Sequence, residues 1–180
     1  MAIYTKTGDR GATKVFDKKT GQLTKIAKDS CKIAMIGAID ELNSFLGVVK
    51  SCSNDSNHWN KIEEIQGNLF TINSILAGSK LRFSKTKTKK LENQIDKWEG
   101  ELPVQKNFIY YGGTPKASLI FFARALCRRA ERQLVAFSKL NAIPYTLLTY
   151  INRLSDYLFM FGRSVNFESK IGEKFWKTGK

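Results

Sequence analysis

Apolar residues recur along this chain at helical spacing, in five separate stretches. Met35, Ile39, Leu42, Leu46 and Val49 fall on one face of a helix predicted over residues 32–49. Ile62, Ile65, Leu69, Ile72 and Leu76 do the same over 59–77, with Gly78 as the stop. A third helix is predicted over 88–98, after the lysine-dense stretch SKLRFSKTKTKK, which reads as an exposed loop or a helix start. Leu119, Ala123, Leu126, Ala130 and Leu134 define a fourth over about 115–140. Leu147, Ile151, Leu154, Leu158, Phe161 and Val165 define a fifth over 145–166, after Pro144. Residues 1–29 carry no sustained period and read as an irregular arm, ordered alone or by a ligand. The expected fold is an all-α five-helix bundle in one domain: arm 1–29, helical bundle 30–167, basic tail 168–180. The tail, ESKIGEKFWKTGK, reads as mobile until something binds it.

The polar residues on these helices carry the chemistry. In RALCRRAER, Arg124, Arg128, Glu131 and Arg132 lie on one side of the fourth helix, beside its apolar face. Cations at i, i+4 and i+8 repel, so the row calls for a counter-charge such as a phosphate chain or a carboxylate. A solvated basic face is the plainer reading, but this row borders the core side. Asp40 and Asn43 stand one turn apart on the first helix, as do Asn152 and Asp156 on the fifth. Asp40 beside an apolar stripe reads as half-buried and in need of a cation from the arginine row. Polar residues on three helices then point to one shared site. In the arm, TKTGDRGATK sets Gly8 and Gly11 among threonines and lysines, where backbone N–H groups can cradle phosphate. No Walker A pattern is present.

Charge and composition narrow the function. The 180 residues carry a net charge of +14, with 42% hydrophobic residues, and a pI of about 9.8. That balance implies an anionic partner: nucleic acid, an acidic membrane or a phosphorylated small molecule. Three cysteines without a C-x-x-C pattern give neither a disulfide framework nor a zinc site. His58, the only histidine, lies in a Ser/Asn-rich linker, so histidine-based nucleophilic catalysis has no support. The polar N-terminus and the lack of a membrane-length apolar run lead to an expected cytoplasmic protein, with no membrane partner.

Five segments, in order, resemble the PduO-type ATP:cob(I)alamin adenosyltransferases: YTKTGDRGATK, KDSCKIAMIGAIDELNSFLG, FIYYGG (against the usual F-I-L-P-G-G), ALCRRAER and YINRLSDYLF. The resemblance implies transfer of the 5′-deoxyadenosyl group of ATP to cob(I)alamin, with Mg²⁺, in a homotrimer whose active sites lie between subunits. It implies that Thr5, Lys6, Thr7, Gly8, Thr13, Lys14 and Lys28 hold ATP from one subunit. Arg128, Arg129, Ala130, Glu131, Arg132 and Asn152 would complete the site from the neighbour. Asp40 and Arg124 match a pair that bridges subunits, and Phe108 the residue bordering the corrin. A corrinoid reductase and an adenosylcobalamin-dependent enzyme would be the functional partners. The chain departs from the family pattern at Tyr110 and Tyr111, where the loop's proline is missing. Ile120 and Phe121 replace a common Leu-His, and Arg10 and Lys14 make the glycine loop more basic. The rival reading is a basic helical nucleic-acid-binding protein, but no helix-turn-helix, zinc-finger or RNA-binding signature accompanies the charge.

Overall fold

The computed structural model describes residues 4, 6–17, 20–52 and 56–177, with backbone only for 56–59. Thr5 and the His58 side chain, both named above, lie outside the described residues. Five helices follow a two-stranded sheet: β1 (Ala12–Asp17), β2 (Gln22–Ala27), α1 (Cys31–Ser51), α2 (Ser56–Ala77), α3 (Lys85–Glu101), α4 (Pro115–Ser138) and α5 (Tyr145–Glu168).

The sheet corrects the expectation of an irregular arm. β1 and β2 pair antiparallel, from Ala12 opposite Ala27 to Asp17 opposite Gln22. β2 is exposed along its length except at Ile26, which is half-buried. A strand pair that buries so little needs few apolar residues, so it shows no clear alternation in sequence.

Local chemistry sets the helix starts. Ser84 Oγ accepts from the Thr86 N–H at the start of α3, and Thr114 Oγ1 accepts from the Ala117 N–H at 3.1 Å, ahead of Pro115 in the first turn of α4. α3 begins earlier than predicted because the lysine-rich stretch forms its first turn. Lys85 and Lys87 stand there with no acidic residue beside them. Further along, Lys90 reaches Glu64 at 2.6 Å and Lys89 reaches Glu92 at 3.6 Å.

In space the helices neighbour one another in the order α2, α1, α4, α5, α3. The Lys90–Glu64 pair between α3 and α2 closes the ring. α5 is the central element: Tyr150, Ile151, Leu154 and Leu158 are all buried. Tyr150 is fully buried, and its hydroxyl accepts from Asn68 Nδ2 at 3.0 Å, which satisfies a group that burial would otherwise penalise. Trp98 stacks on Phe161 with ring centres 5.7 Å apart, fixing α3 on α5.

Gly78 ends α2 with φ +119° and lies against β1: a Cβ there would stand 2.3 Å from the Phe16 carbonyl oxygen. Only glycine permits that approach, so the end of α2 is where the sheet docks.

Candidate functional site

The glycine turn of the arm carries the first group of candidate residues. Lys6 adopts a left-handed φ of 56° and Gly11 a φ of 73°. The Lys28 N–H donates to the Gly11 carbonyl at 2.9 Å, so the end of β2 is tied back to the turn. The Lys28 ammonium lies over Gly8, where a Cβ would stand 3.1 Å from Nζ. Thr13 and Lys14 continue from the turn into β1, opposite Ile26 and Lys25. Lys6, Thr7, Gly8, Thr13, Lys14 and Lys28 are thus gathered on one turn and the strand ends beside it. The result is a largely exposed cationic turn, suited to a phosphate chain.

The arginine row occupies the middle of α4, while the sheet rests near the ends of α2 and α4, beside Leu76, Phe137 and Pro144. Arg128 and Arg132 are exposed, and Arg132 donates to the Arg128 carbonyl at 3.3 Å. No carboxylate pairs with either guanidinium among the described residues. Arg129 turns the other way and forms an ion pair with Glu41 of α1. Glu131 accepts from Asn152 Nδ2 of α5 at 2.7 Å, so α5 orients the carboxylate inside the row. Ala130 is fully buried in the core, and its side chain serves packing. Asn43 is also buried.

Two expectations at this site change. Asp40 is exposed, not half-buried, and no ion pair joins it to Arg124 within the chain. α1 meets the row through Glu41, one position on. Asp156 lines the same cavity as Arg124 but stands apart from Asn152 and Glu131. It pairs with Arg153 at 2.7 Å, and Arg153 also reaches Glu92 at 3.4 Å.

Arg124 faces a different setting from the rest of its row. Its Nη1 donates to the Tyr111 hydroxyl at 3.0 Å. Its guanidinium carbon lies 5.5 Å from the Tyr111 ring centre and 5.4 Å from that of Phe159. Arg124 Nε is buried and has no hydrogen-bond partner. Tyr111 itself stacks on Phe121 at 5.2 Å. Phe121 lies against Gly162 of α5, where a Cβ would stand 2.7 Å from its ring.

Arg124, Tyr111 and Phe159 help to wall a cavity of about 620 Å³, bounded also by Phe108, Ile109 and Arg163 among others. The ring of Phe108 is 75% exposed at its mouth, a large apolar surface left for a partner. The loop is held from below by Asn166, which accepts from the Thr114 N–H at 3.0 Å and donates to the Gly112 carbonyl at 2.8 Å. Gly113, at φ +104°, leaves the room that Asn166 fills.

The C-terminal segment is the other departure from expectation. Residues 169–177 fold back on the Phe108 loop instead of standing free. Ile109 bridges Phe175. The Tyr110 N–H donates to the Lys174 carbonyl at 2.9 Å and the Trp176 N–H to the Phe108 carbonyl at 2.7 Å. Trp176 meets Phe108 edge-on at 6.4 Å. Two residues that build this corner, Arg163 and Asn166, were not singled out from the sequence, and Tyr111 stood out there only as a departure from the family motif. The available signal was polar side chains at 163 and 166, inside an otherwise apolar stripe.

Cys127 adds no nucleophile. It is fully buried, its Sγ donates to the Ile151 carbonyl at 3.3 Å, and burial pushes its thiol pKa far up. The described residues thus present a phosphate-suited turn, an arginine row and an aromatic-walled cavity.

The chain is similar over most of its length to proteins of one family. Residues 3–165 match the sequence family described as Cobalamin adenosyltransferase. The corrinoid adenosyltransferase of Bacillus subtilis strain 168 is 38% identical over 184 residues, covering 96% of this chain and 91% of that protein. The corrinoid adenosyltransferase PduO of Citrobacter freundii is 36% identical, covering 97% of this chain and 55% of its own, longer length. A variant PduO-type ATP:corrinoid adenosyltransferase from Lactobacillus reuteri, solved in complex with cobalamin and ATP, superposes with a TM-score of 0.91 at 35% identity, over 98% of this chain and 100% of that one. Sequence and fold agree over nearly the whole length, and the chain belongs to the cobalamin adenosyltransferase family.

Proposed function

We propose that this chain transfers the 5′-deoxyadenosyl group of ATP to the cobalt of cob(I)alamin, giving adenosylcobalamin and triphosphate. The observation that carries this is the position of Arg124. It belongs to the arginine row on α4 and also forms a wall of the aromatic cavity. One helix thus joins a surface suited to a phosphate chain to one suited to a large apolar ring.

The substrate cobalt supplies the electron pair that forms the bond to C5′. The C5′–O bond breaks, and the triphosphate leaves with its electrons. No protein nucleophile is required. The chain's own task is to hold C5′ in line and stabilise charge on the leaving group. Arg128 and Arg132 are placed for the second role, and Glu131, held by Asn152, stands between them. Phe108 and the cavity wall take the corrin face and keep water from it. Mg²⁺ would come with the ATP phosphates; Glu131, the one carboxylate inside the row, fits the usual pattern of phosphates plus one or two carboxylates.

The arm's turn and the arginine row sit at different levels of one chain. A homotrimer with composite sites would supply the turn from one subunit and Arg128, Arg129, Glu131, Arg132 and Asn152 from its neighbour. Asp40, exposed and unpaired with Arg124 in its own chain, supports a bridge to the neighbour's copy of that arginine. Among the described residues, no helix is long and apolar enough to cross a membrane. We place the enzyme in the cytoplasm, receiving reduced corrinoid from a reductase and delivering product to an adenosylcobalamin-dependent enzyme.

The test is anaerobic incubation of the protein with chemically reduced cobalamin, Mg²⁺ and ATP, followed by visible absorption. ATP-dependent appearance of the adenosylcobalamin spectrum is expected. Its absence, with ATP still bound, would leave the chain without this activity.

A further inference from the structure

Arg163 is 5% exposed, in the last third of α5, and no role assigned above uses its charge. Each of its three guanidinium nitrogens nonetheless has a partner. Nε donates to Glu173 Oε1 at 2.5 Å and Nη2 to Glu173 Oε2 at 3.2 Å, a two-pronged pairing. Nη2 also donates to the Pro103 carbonyl at 2.7 Å, and Nη1 points to the Met160 sulfur at 3.7 Å. One side chain therefore joins three segments: α5, the α3–α4 connection that leads to Phe108, and the C-terminal segment.

The backbone is shaped for this. Lys170, two residues past the end of α5, takes a left-handed φ of 57°, and the Ile171 N–H donates back to the Asn166 carbonyl at 2.9 Å. The chain reverses there and brings Glu173 level with Arg163. Three residues on, Trp176 reaches Phe108.

We propose that Arg163 is a positioning residue for the corrinoid: its pairing with Glu173 clamps the C-terminal segment and the Phe108 loop into one wall of the cavity. This rests on the reading of the cavity as the corrinoid site. The physical argument is the asymmetry of a buried ion pair. A buried guanidinium that loses its carboxylate keeps its desolvation penalty and loses the compensating attraction. Release of the segment is therefore opposed by the stranding of Arg163, in addition to the few backbone bonds at residues 108–110. The pair adds directional control: the fork geometry fixes where Glu173 sits, and with it where Trp176 and Phe108 meet.

The experiment is Glu173→Gln in the full chain, which keeps shape and removes charge, alongside Glu173→Ala. Trypsin cleavage at Lys170, Lys174 and Lys177 reads segment docking, by mass spectrometry and without turnover. Loss of the pair should shift docking on the order of 100-fold towards release, with faster cleavage at these lysines. The corrinoid KM should rise about tenfold through the reduced docked fraction, with the ATP KM unchanged and Glu173→Ala worse than Glu173→Gln. Unchanged cleavage would overturn the clamp. Faster cleavage with an unchanged corrinoid KM would overturn its part in positioning, as would an equal rise in both KM values. A wild-type protein that fails to adenosylate cobalamin defeats the functional reading instead, and the cleavage comparison still decides whether the clamp exists.

Discussion

At the scale of single residues, the site divides into groups that meet phosphate and groups that meet the ring. Arg128 is exposed and makes no ion pair with a carboxylate among the described residues, so its removal should spare the fold. Arg128→Ala should lower kcat/KM for ATP by about 10²-fold or more, read by the spectral assay with thermal unfolding as a control. Unchanged turnover would remove Arg128 from the ATP site. Phe108 is exposed too, and Phe108→Ala should alter stability by less than about 0.5 kcal/mol. It should reduce adenosylation of cobalamin well beyond any change in ATP binding. An equal loss in both would argue against its place at the corrin. The arginine row and the basic glycine turn could be read from the sequence because each rests on local spacing, whereas Phe108 was singled out only through the motif resemblance. The corner around Tyr111 was not. Tyr111 and Phe121 are both departures from the family motifs, read separately as two anomalies. In the structure their rings stack at 5.2 Å, so the two substitutions make one contact. A pairing between residues ten positions apart, completed by Gly162 some forty positions further on, has no periodic trace.

At the scale of elements, the helices follow from their apolar stripes, and their order in the chain was legible with boundaries within a few residues. The sheet was not, because it buries little and so lacks alternation. α5 is the element on which the site depends. Its one face holds Gly162 for Phe121, Arg163 for the C-terminal segment and Asn166 for the Gly112–Gly113 turn. Gly162→Ala places a methyl within 2.7 Å of the Phe121 ring. The expected cost is about 1–3 kcal/mol, seen as a fall of several degrees in Tm. Activity should fall too, because Phe121 supports Tyr111 and Tyr111 holds Arg124. A variant of wild-type stability would show that the ring shifts aside freely.

At the scale of the molecule, assembly is the open arithmetic of the site. Asp40 is exposed and forms no ion pair with Arg124 of its own chain. Asp40→Ala should therefore leave the secondary structure and the subunit fold intact. Light scattering across a dilution series should show weakened association, with activity falling in parallel. A normal oligomer with normal kinetics would end the case for an Asp40–Arg124 bridge.

The lysines that open α3 have a consequence for the molecule's response to its medium. Positive charge at the electropositive end of a helix opposes helix formation, and here it stands on a body already carrying +14. Dissolved ions weaken that repulsion over a Debye length of ~10 Å at 0.1 M, while the buried Trp98–Phe161 stack is indifferent to them. Added salt should thus stiffen this protein: its Tm should climb with ionic strength, and α3 amides should exchange with solvent more slowly. A halt or a decline across the same range would mean that the lysines are already neutralised by their own surroundings.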